Sequence, residues 1–229
     1  MGKVLDDQVL KQVGEAFEKL NEPVQLLYFE TRQDCEYCDE TRQLLEEVAG
    51  ANDKIGLSVY DVEENQEVAS QFNVTKAPSL VIAAKTGSQI MDFGIRYSGI
   101  PSGHEFSTLI NDILLVSGRD SGLSQKTREF LRSLDTPLLL QVFVTPSCPY
   151  CPRAVLLAHQ MAMENPKMIR AEGVEATEFP ELAAQFYVSG VPQTVINSGA
   201  KMVVGAVPEQ NLLTQIMAAL QNQALSFAV

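Results

Sequence analysis

Basic residues are scarce in this chain: 17 Lys and Arg stand against 29 Asp and Glu over 229 residues, a formal net charge of −12. Phosphate neutralisation and docking on an anionic membrane both need a basic footprint, so this balance argues against both nucleic acid and membrane as partners. Long apolar runs are missing as well. No stretch reaches the ~18 residues of a transmembrane helix, and the opening Met1-Gly2-Lys3-Val4-Leu5-Asp6-Asp7 lacks the charged-then-apolar pattern of a secretory signal. The expectation is a cytoplasmic protein. Histidines number two and cysteines four. Four cysteines are too few to staple a secreted scaffold, and in a reducing compartment they point to catalysis or metal binding. No Ser-His-Asp arrangement, phosphate loop or dinucleotide fingerprint appears, so electrons for any redox chemistry have to come from a partner rather than from a bound nicotinamide.

What is present is an ordinary globular composition, 45% hydrophobic and 20% charged, enough for one or two domains with their own cores. The four cysteines form two C-x-x-C pairs, Cys35-Glu36-Tyr37-Cys38 and Cys148-Pro149-Tyr150-Cys151, whose first members lie 113 positions apart. Downstream the chain repeats itself at an offset of 114. Glu67 to Ile82 lies over Glu181 to Ile196 with eight identities in sixteen positions, Pro78 over Pro192 among them. The chain is a tandem duplication, and its polar, Gly-bearing stretch 117–122 marks the boundary between units 1–118 and 123–229.

Each unit reads in the same order. An apolar, β-rich run (24–29; 138–144) precedes the cysteines, and an amphipathic helix (39–49; 149–163) follows them. A second strand (55–62; 168–175), a short helix (66–72; 179–186) and two strands about a Gly turn (79–83 and 89–93; 193–197 and 201–207) come next. Helices at 104–116 and 209–220 close the units, and helices at 7–20 and 124–134 lead them. The fold class is therefore α/β, in the order strand, C-x-x-C, helix, strand, helix, X-Pro, strand, strand, helix.

That order is the thioredoxin order. Two such units with Cys-Pro-Tyr-Cys in the second resemble the two-domain protein disulfide oxidoreductases, glutaredoxin-like proteins known chiefly from thermophiles. The resemblance spans nearly the whole chain, and Phe93-Gly94-Ile95-Arg96-Tyr97, Gly99 to Phe106, Phe143 to Pro152 and Val191-Pro192 carry it. It implies two thioredoxin-like domains sharing one continuous mixed sheet. It also implies cis prolines at Pro78 and Pro192 beside the cysteines, with the backbone of Ala77 and Val191 open to an extended substrate peptide. The partners implied are protein disulfides and dithiols as substrates, a thioredoxin-reductase-like flavoprotein as electron donor and a peroxiredoxin as acceptor. No cofactor beyond the redox-active disulfides is expected.

The chemistry follows from placement. At a helix N-terminus, unpaired N–H groups and the positive dipole end favour a thiolate, so Cys35 and Cys148 are the attacking residues. Cys38 and Cys151 then resolve the mixed disulfide. Pro149 suits a first helical position. Glu36, at the same place in the first pair, disfavours the Cys35 thiolate and leaves Cys148–Cys151 as the more oxidising, principal exchange site. Three other readings stand beside this one. A four-cysteine zinc site would have to bridge 109 intervening residues, against the usual ~15–20. A glutathione-linked glutaredoxin shares Cys-Pro-Tyr-Cys. A redox-inert peptide-binding scaffold leaves the intact pairs without a use. His159 reads as a packing residue and His104 as a local hydrogen-bonding one. Asp61 and Glu175, aligned at strand ends, read as solvated carboxylates with a proton relay as their second reading.

Overall fold

The computed structural model describes residues 3–226. The first repeat builds α1 (Asp7–Phe17), β1 (Val24–Glu30), α2 (Cys38–Ala49), β2 (Ile55–Asp61), α3 (Gln66–Gln71), β3 (Ser79–Thr86), β4 (Gln89–Ser98) and α4 (His104–Gly118). The second builds α5 (Gln125–Arg132), β5 (Leu138–Val144), α6 (Cys151–Glu164), β6 (Ile169–Glu175), α7 (Pro180–Gln185), β7 (Gln193–Ile196), β8 (Lys201–Val204) and α8 (Glu209–Ser226). A 3₁₀ turn at Asn197–Gly199 joins β7 to β8. Strands β3 and β4 run longer than their apolar cores suggest. Their register shifts at Ile82/Ala83, and the Asp92 carboxylate accepts the Gly94 N–H at 2.8 Å, which carries β4 through the irregularity to Ser98.

The eight strands form one sheet in the order β2-β1-β3-β4-β6-β5-β7-β8. Its seam is a parallel pairing of β4 with β6, Ile95 opposite Ala171 through Ser98 opposite Val174. The expected continuous mixed sheet is thus formed by the two inner strands. Side chains on successive residues point to opposite faces. On one face Leu26, Tyr28, Leu80, Ile82, Leu140 and Val142 join a single core that runs across both repeats beneath α1, α2, α4, α5, α6 and α8. On the other face Leu27 and Phe29 pack under α3, and Phe143 and Val195 under α7, as two separate small cores. One shared core ties the repeats together at roughly 25 cal/mol per Å² of apolar surface removed from water.

The seam also carries a buried polar network. His159 of α6, fully buried, places Nδ1 2.6 Å from Asp112 Oδ2 of α4 and Nε2 3.1 Å from the Arg96 carbonyl of β4. A carbonyl only accepts, so Nε2 carries a proton. The Tyr97 hydroxyl donates to the same Asp112 oxygen at 2.5 Å, and its ring stacks edge-on to the imidazole at 5.1 Å. His159 is the packing residue expected of it, set between repeats. His104 is exposed; its N–H reaches across to the Pro146 carbonyl at 2.9 Å and its carbonyl accepts the Ser107 hydroxyl at 2.8 Å.

Candidate functional site

Strands β1, β4, β5 and β6 run parallel, so β1 and β5 deliver their cysteines to the same edge of the sheet. Four strand spacings of ~4.8 Å separate β1 from β5, which puts the two pairs roughly 19 Å apart. Each pair is closed as a disulfide with Cα atoms 5.5 Å apart. The four sulfurs therefore do not converge on one tetrahedral centre. Among the described residues no group of three or more His, Cys, Asp or Glu is placed to hold a metal ion.

The second helix begins later than the sequence suggests, and the first begins one residue earlier. α2 starts at Cys38 and α6 at Cys151, so Cys35 and Cys148 lie in the turn ahead of the helix rather than in it. Pro149 precedes the helix, and Pro152 takes the early position where a missing N–H costs nothing. Ahead of the second pair the Cys148 N–H bonds the Thr145 carbonyl at 3.1 Å, so the chain is still in a turn where Cys148 sits. Neither Tyr37 nor Tyr150 caps its helix with a side chain, which leaves first-turn N–H groups facing the sulfurs. Tyr28 fixes the first pair from below, its hydroxyl donating to the Cys38 carbonyl at 2.7 Å. Cys38 and Cys151 are buried, Cys148 is 7% exposed, and Cys35 is half-exposed.

Both X-Pro bonds, Ala77–Pro78 and Val191–Pro192, are cis. They stand where β3 and β7 begin. Ser79 pairs with Phe29 and Gln193 with Phe143, so each proline lies at the edge from which its cysteines emerge. The Pro78 carbonyl accepts the Gly99 N–H at 2.9 Å and the Pro192 carbonyl accepts the Gly205 N–H at 2.8 Å. Ala77 and Val191 are half-exposed.

The sequence reading missed a carboxyl. Glu105 is 3% exposed, and neither of its oxygens has a hydrogen-bond partner. Burial pushes it up to about 7; Thr108 and His159 pull the other way without winning, and Asp112 adds to the rise. Its position follows from helix register. α4 and α6 both start at the cysteine edge and run side by side, touching through Asp112 and His159. Asp112 is eight residues past His104, and His159 eight past Cys151. Seven residues back from each brings Glu105 level with Pro152, in the first turn of α6, and helical side chains lean toward the N-terminus. A buried acid of the first repeat thus lies level with the first turn of α6, the turn that carries Cys151. Glu105 and Asp112 share the stripe of Leu109 and Val116, so two acids on a buried helix face were the available signal.

The strand-end carboxylates serve the backbone. Asp61 accepts the Glu63 and Glu64 N–H groups at 2.9 and 3.0 Å, and these bonds, Glu64's first, hold it low. Glu175 is not solvated: it is 4% exposed and its Oε2 takes the Thr177 hydroxyl and the Glu178 N–H, each at 2.6 Å. The loop from Gly99 to Gly103 runs between the two pairs. Gly103, at φ +58°, leaves only 2.3 Å between a hypothetical Cβ and the Pro146 carbonyl, so only glycine fits this approach to the second pair.

Two closed C-x-x-C disulfides on two thioredoxin folds define a disulfide oxidoreductase, and thiol–disulfide exchange is its chemistry. Residues 31–111 and 138–218 each match the thioredoxin-domain family, and the chain belongs to that family. It is similar to the crystal structure of a protein disulfide oxidoreductase from Aeropyrum pernix K1, at 32% identity and a TM-score of 0.85 over 93% of this chain and 94% of that one. It is also similar to the NTD_N/C domain of alkylhydroperoxide reductase AhpF from Enterococcus faecalis, at 27% identity and a TM-score of 0.83 over 93% and 99%. The AhpF protein of Escherichia coli K12, likewise of alkyl hydroperoxide reductase, is 29% identical over 85% of this chain. The chain spans about a third of the length of the curated relatives it matches. Among the described residues no helix is long and apolar enough to cross a membrane.

Proposed function

We propose that this protein reduces, forms or reshuffles protein disulfides in the cytoplasm, as part of cell redox homeostasis, with Cys35, Cys38, Cys148 and Cys151 as its catalytic residues. The observation that carries the reading is the repeated geometry: a closed cysteine pair ahead of an uncapped helix, beside an X-Pro bond, twice at one sheet edge. In the reducing direction the Cys148 thiolate attacks a substrate disulfide sulfur, and the leaving thiolate takes up a proton. Cys151 then attacks Cys148, which releases the second substrate thiol and closes the enzyme disulfide. Glu105 accepts the Cys151 proton, because it is the buried carboxyl level with that turn and is poised near neutrality. Ala77-Pro78 and Val191-Pro192 hold the substrate backbone.

The roughly 19 Å between pairs prevents direct exchange between them within one chain, so each pair meets its own partner. A thioredoxin-reductase-like flavoprotein is the proposed donor and a peroxiredoxin the proposed acceptor. The similarity to AhpF proteins of alkyl hydroperoxide reductase supports a peroxide-linked electron path over a glutathione-linked one. The functional units are 1–118 and 123–229. Charge favours the second pair as the more oxidising: Glu36 adjoins Cys35, whereas Pro149 adjoins Cys148. Access runs the other way, Cys35 being the more exposed residue.

Insulin-disulfide reduction by the wild type, Cys35→Ser and Cys148→Ser, driven by a flavoprotein thioredoxin reductase, tests the reading. Turnover in the wild type with a larger loss in Cys148→Ser is expected. No turnover with either that donor or glutathione overturns it.

A further inference from the structure

The turn after β6 places a second half-buried carboxyl against the other cysteine pair. Glu178 Oε1 accepts the Ile100 N–H of the first repeat at 2.7 Å, while its Oε2 is buried without a hydrogen-bond partner. Glu175, which orients it through the 2.6 Å bond to its N–H, likewise buries Oε1 unpartnered. The approach is close. A Cβ on Gly99, at φ +93°, would lie 2.5 Å from Glu175 Cβ and 2.8 Å from Glu178 Oε1. The Gly99 N–H bonds the Pro78 carbonyl, so one peptide unit links this carboxyl to the X-Pro bond of the first pair.

The charges that face Glu178 are of one sign. Glu175 comes from β6, Glu36 from the C-x-x-C turn and Glu40 from the first turn of α2. Tyr28 of β1 and Tyr37 face it as well, and both feel its charge. Lys76, which lines the same groove, is committed to Glu172 at 2.6 Å. Burial first, and then Glu175, Glu36 and Glu40, push Glu178 up to about 7. The Ile100 bond pulls the other way but does not win.

We propose that Glu178, although it belongs to the second repeat, is a positioning residue of the first cysteine pair: protonated, it leaves the Cys35 thiol free to ionise, and ionised, it adds a carboxylate to the rim and holds Cys35 as the thiol. The inference rests on reading Cys35 as the attacking sulfur. Its consequence is that the thiolate fraction of the first pair climbs less steeply above neutrality than the thiol alone would give. The second pair faces an acid of the first repeat, Glu105, so each repeat sets proton behaviour at the other's site.

Alkylation of reduced Cys35 by iodoacetamide from pH 5 to 10, followed by peptide mass in the Cys148→Ser/Cys151→Ser protein, tests it. The parent should show a break near pH 7 below the thiol's own titration. Glu178→Gln keeps an acceptor for the Ile100 N–H; it should abolish that break and speed alkylation at pH 8. The gain lies between about twofold and about fifteenfold, the range for one charge taken at a Debye length, ~10 Å, between water-like and surface screening. Glu36→Gln, remote from the seam, should move the break to lower pH, and this decides the matter if Glu178→Gln fails to fold. Superimposable profiles for the parent and the folded Glu178→Gln, or an unmoved break in Glu36→Gln, overturn the inference. Alkylation reads the thiol itself, so a protein that shows the break yet never reduces insulin defeats the functional reading and leaves this one standing.

Discussion

Glu105→Gln should change how stability depends on pH. In the folded protein burial holds this carboxyl at about 7, against an ordinary value of 4.5. The unfolded chain releases its proton near 4.5, while the folded chain keeps it to about 7. Across that window folding binds a proton, so the stabilising contribution is complete below 4.5 and is lost as pH rises through about 7. A displacement of roughly 2.5 units corresponds to about 3 kcal/mol, and Glu105, at 3% exposure, has little solvent to screen it. Glutamine resembles the protonated form in shape and charge and has no proton to lose. Urea unfolding of the oxidised protein at half-unit steps from pH 4.5 to 8 should therefore give converging or crossing curves. The variant should gain about 3 kcal/mol on the wild type between the two ends. Parallel curves would refute the placement of Glu105 as a buried, unpartnered acid. The same substitution should remove the inflection near pH 7 from the pH–rate profile of the second pair, measured as single-turnover reduction of a peptide disulfide.

Other outcomes follow from the same geometry. Asp112→Asn leaves the Tyr97 hydroxyl and the His159 ring facing a neutral amide inside the shared core, and should cost about 2–4 kcal/mol by chemical unfolding; a loss under about 0.5 kcal/mol argues against a network joining the repeats. Glu36→Pro should raise the reduction potential of the first pair toward that of the second, and equilibration with glutathione redox buffers reads this; an unchanged potential removes the charge argument for asymmetry. Burial pushes Glu172 up, but Lys76, Ser98 and Gln141 outweigh it and keep the carboxylate low, so its stabilisation is present above pH 4.5 and is lost on acidification. Lys76→Ala should therefore flatten the acid limb of the stability profile, and unfolding midpoints at pH 3 to 6 check it.

Much of this molecule is legible along the chain because repetition and periodicity are local signals. The two C-x-x-C pairs, the X-Pro bonds 43 and 44 residues beyond them, the strand–helix order and the continuous sheet all carry through to the structure. Boundaries were less legible. α6 starts at Cys151 rather than at Pro149 because the cysteine turn consumes residues that propensity alone would admit to a helix, while α2 starts at Cys38, within one residue of the reading. β4 outruns its apolar run because its last residues pair across the seam with β6, a partner from the other repeat that no local window contains.

By itself the sequence determined the class of chemistry, thiol–disulfide exchange, along with two C-x-x-C pairs, one in each copy of a duplicated unit. Only the tertiary structure decided how protons are managed at those sites. Glu105 and Glu178 are far from the cysteines they attend in the chain, and each serves the pair of the opposite repeat. Their ordinary carboxyls become unusual because pairing β4 with β6 removes them from water, and desolvation depends on what surrounds a group in space rather than on its neighbours in sequence.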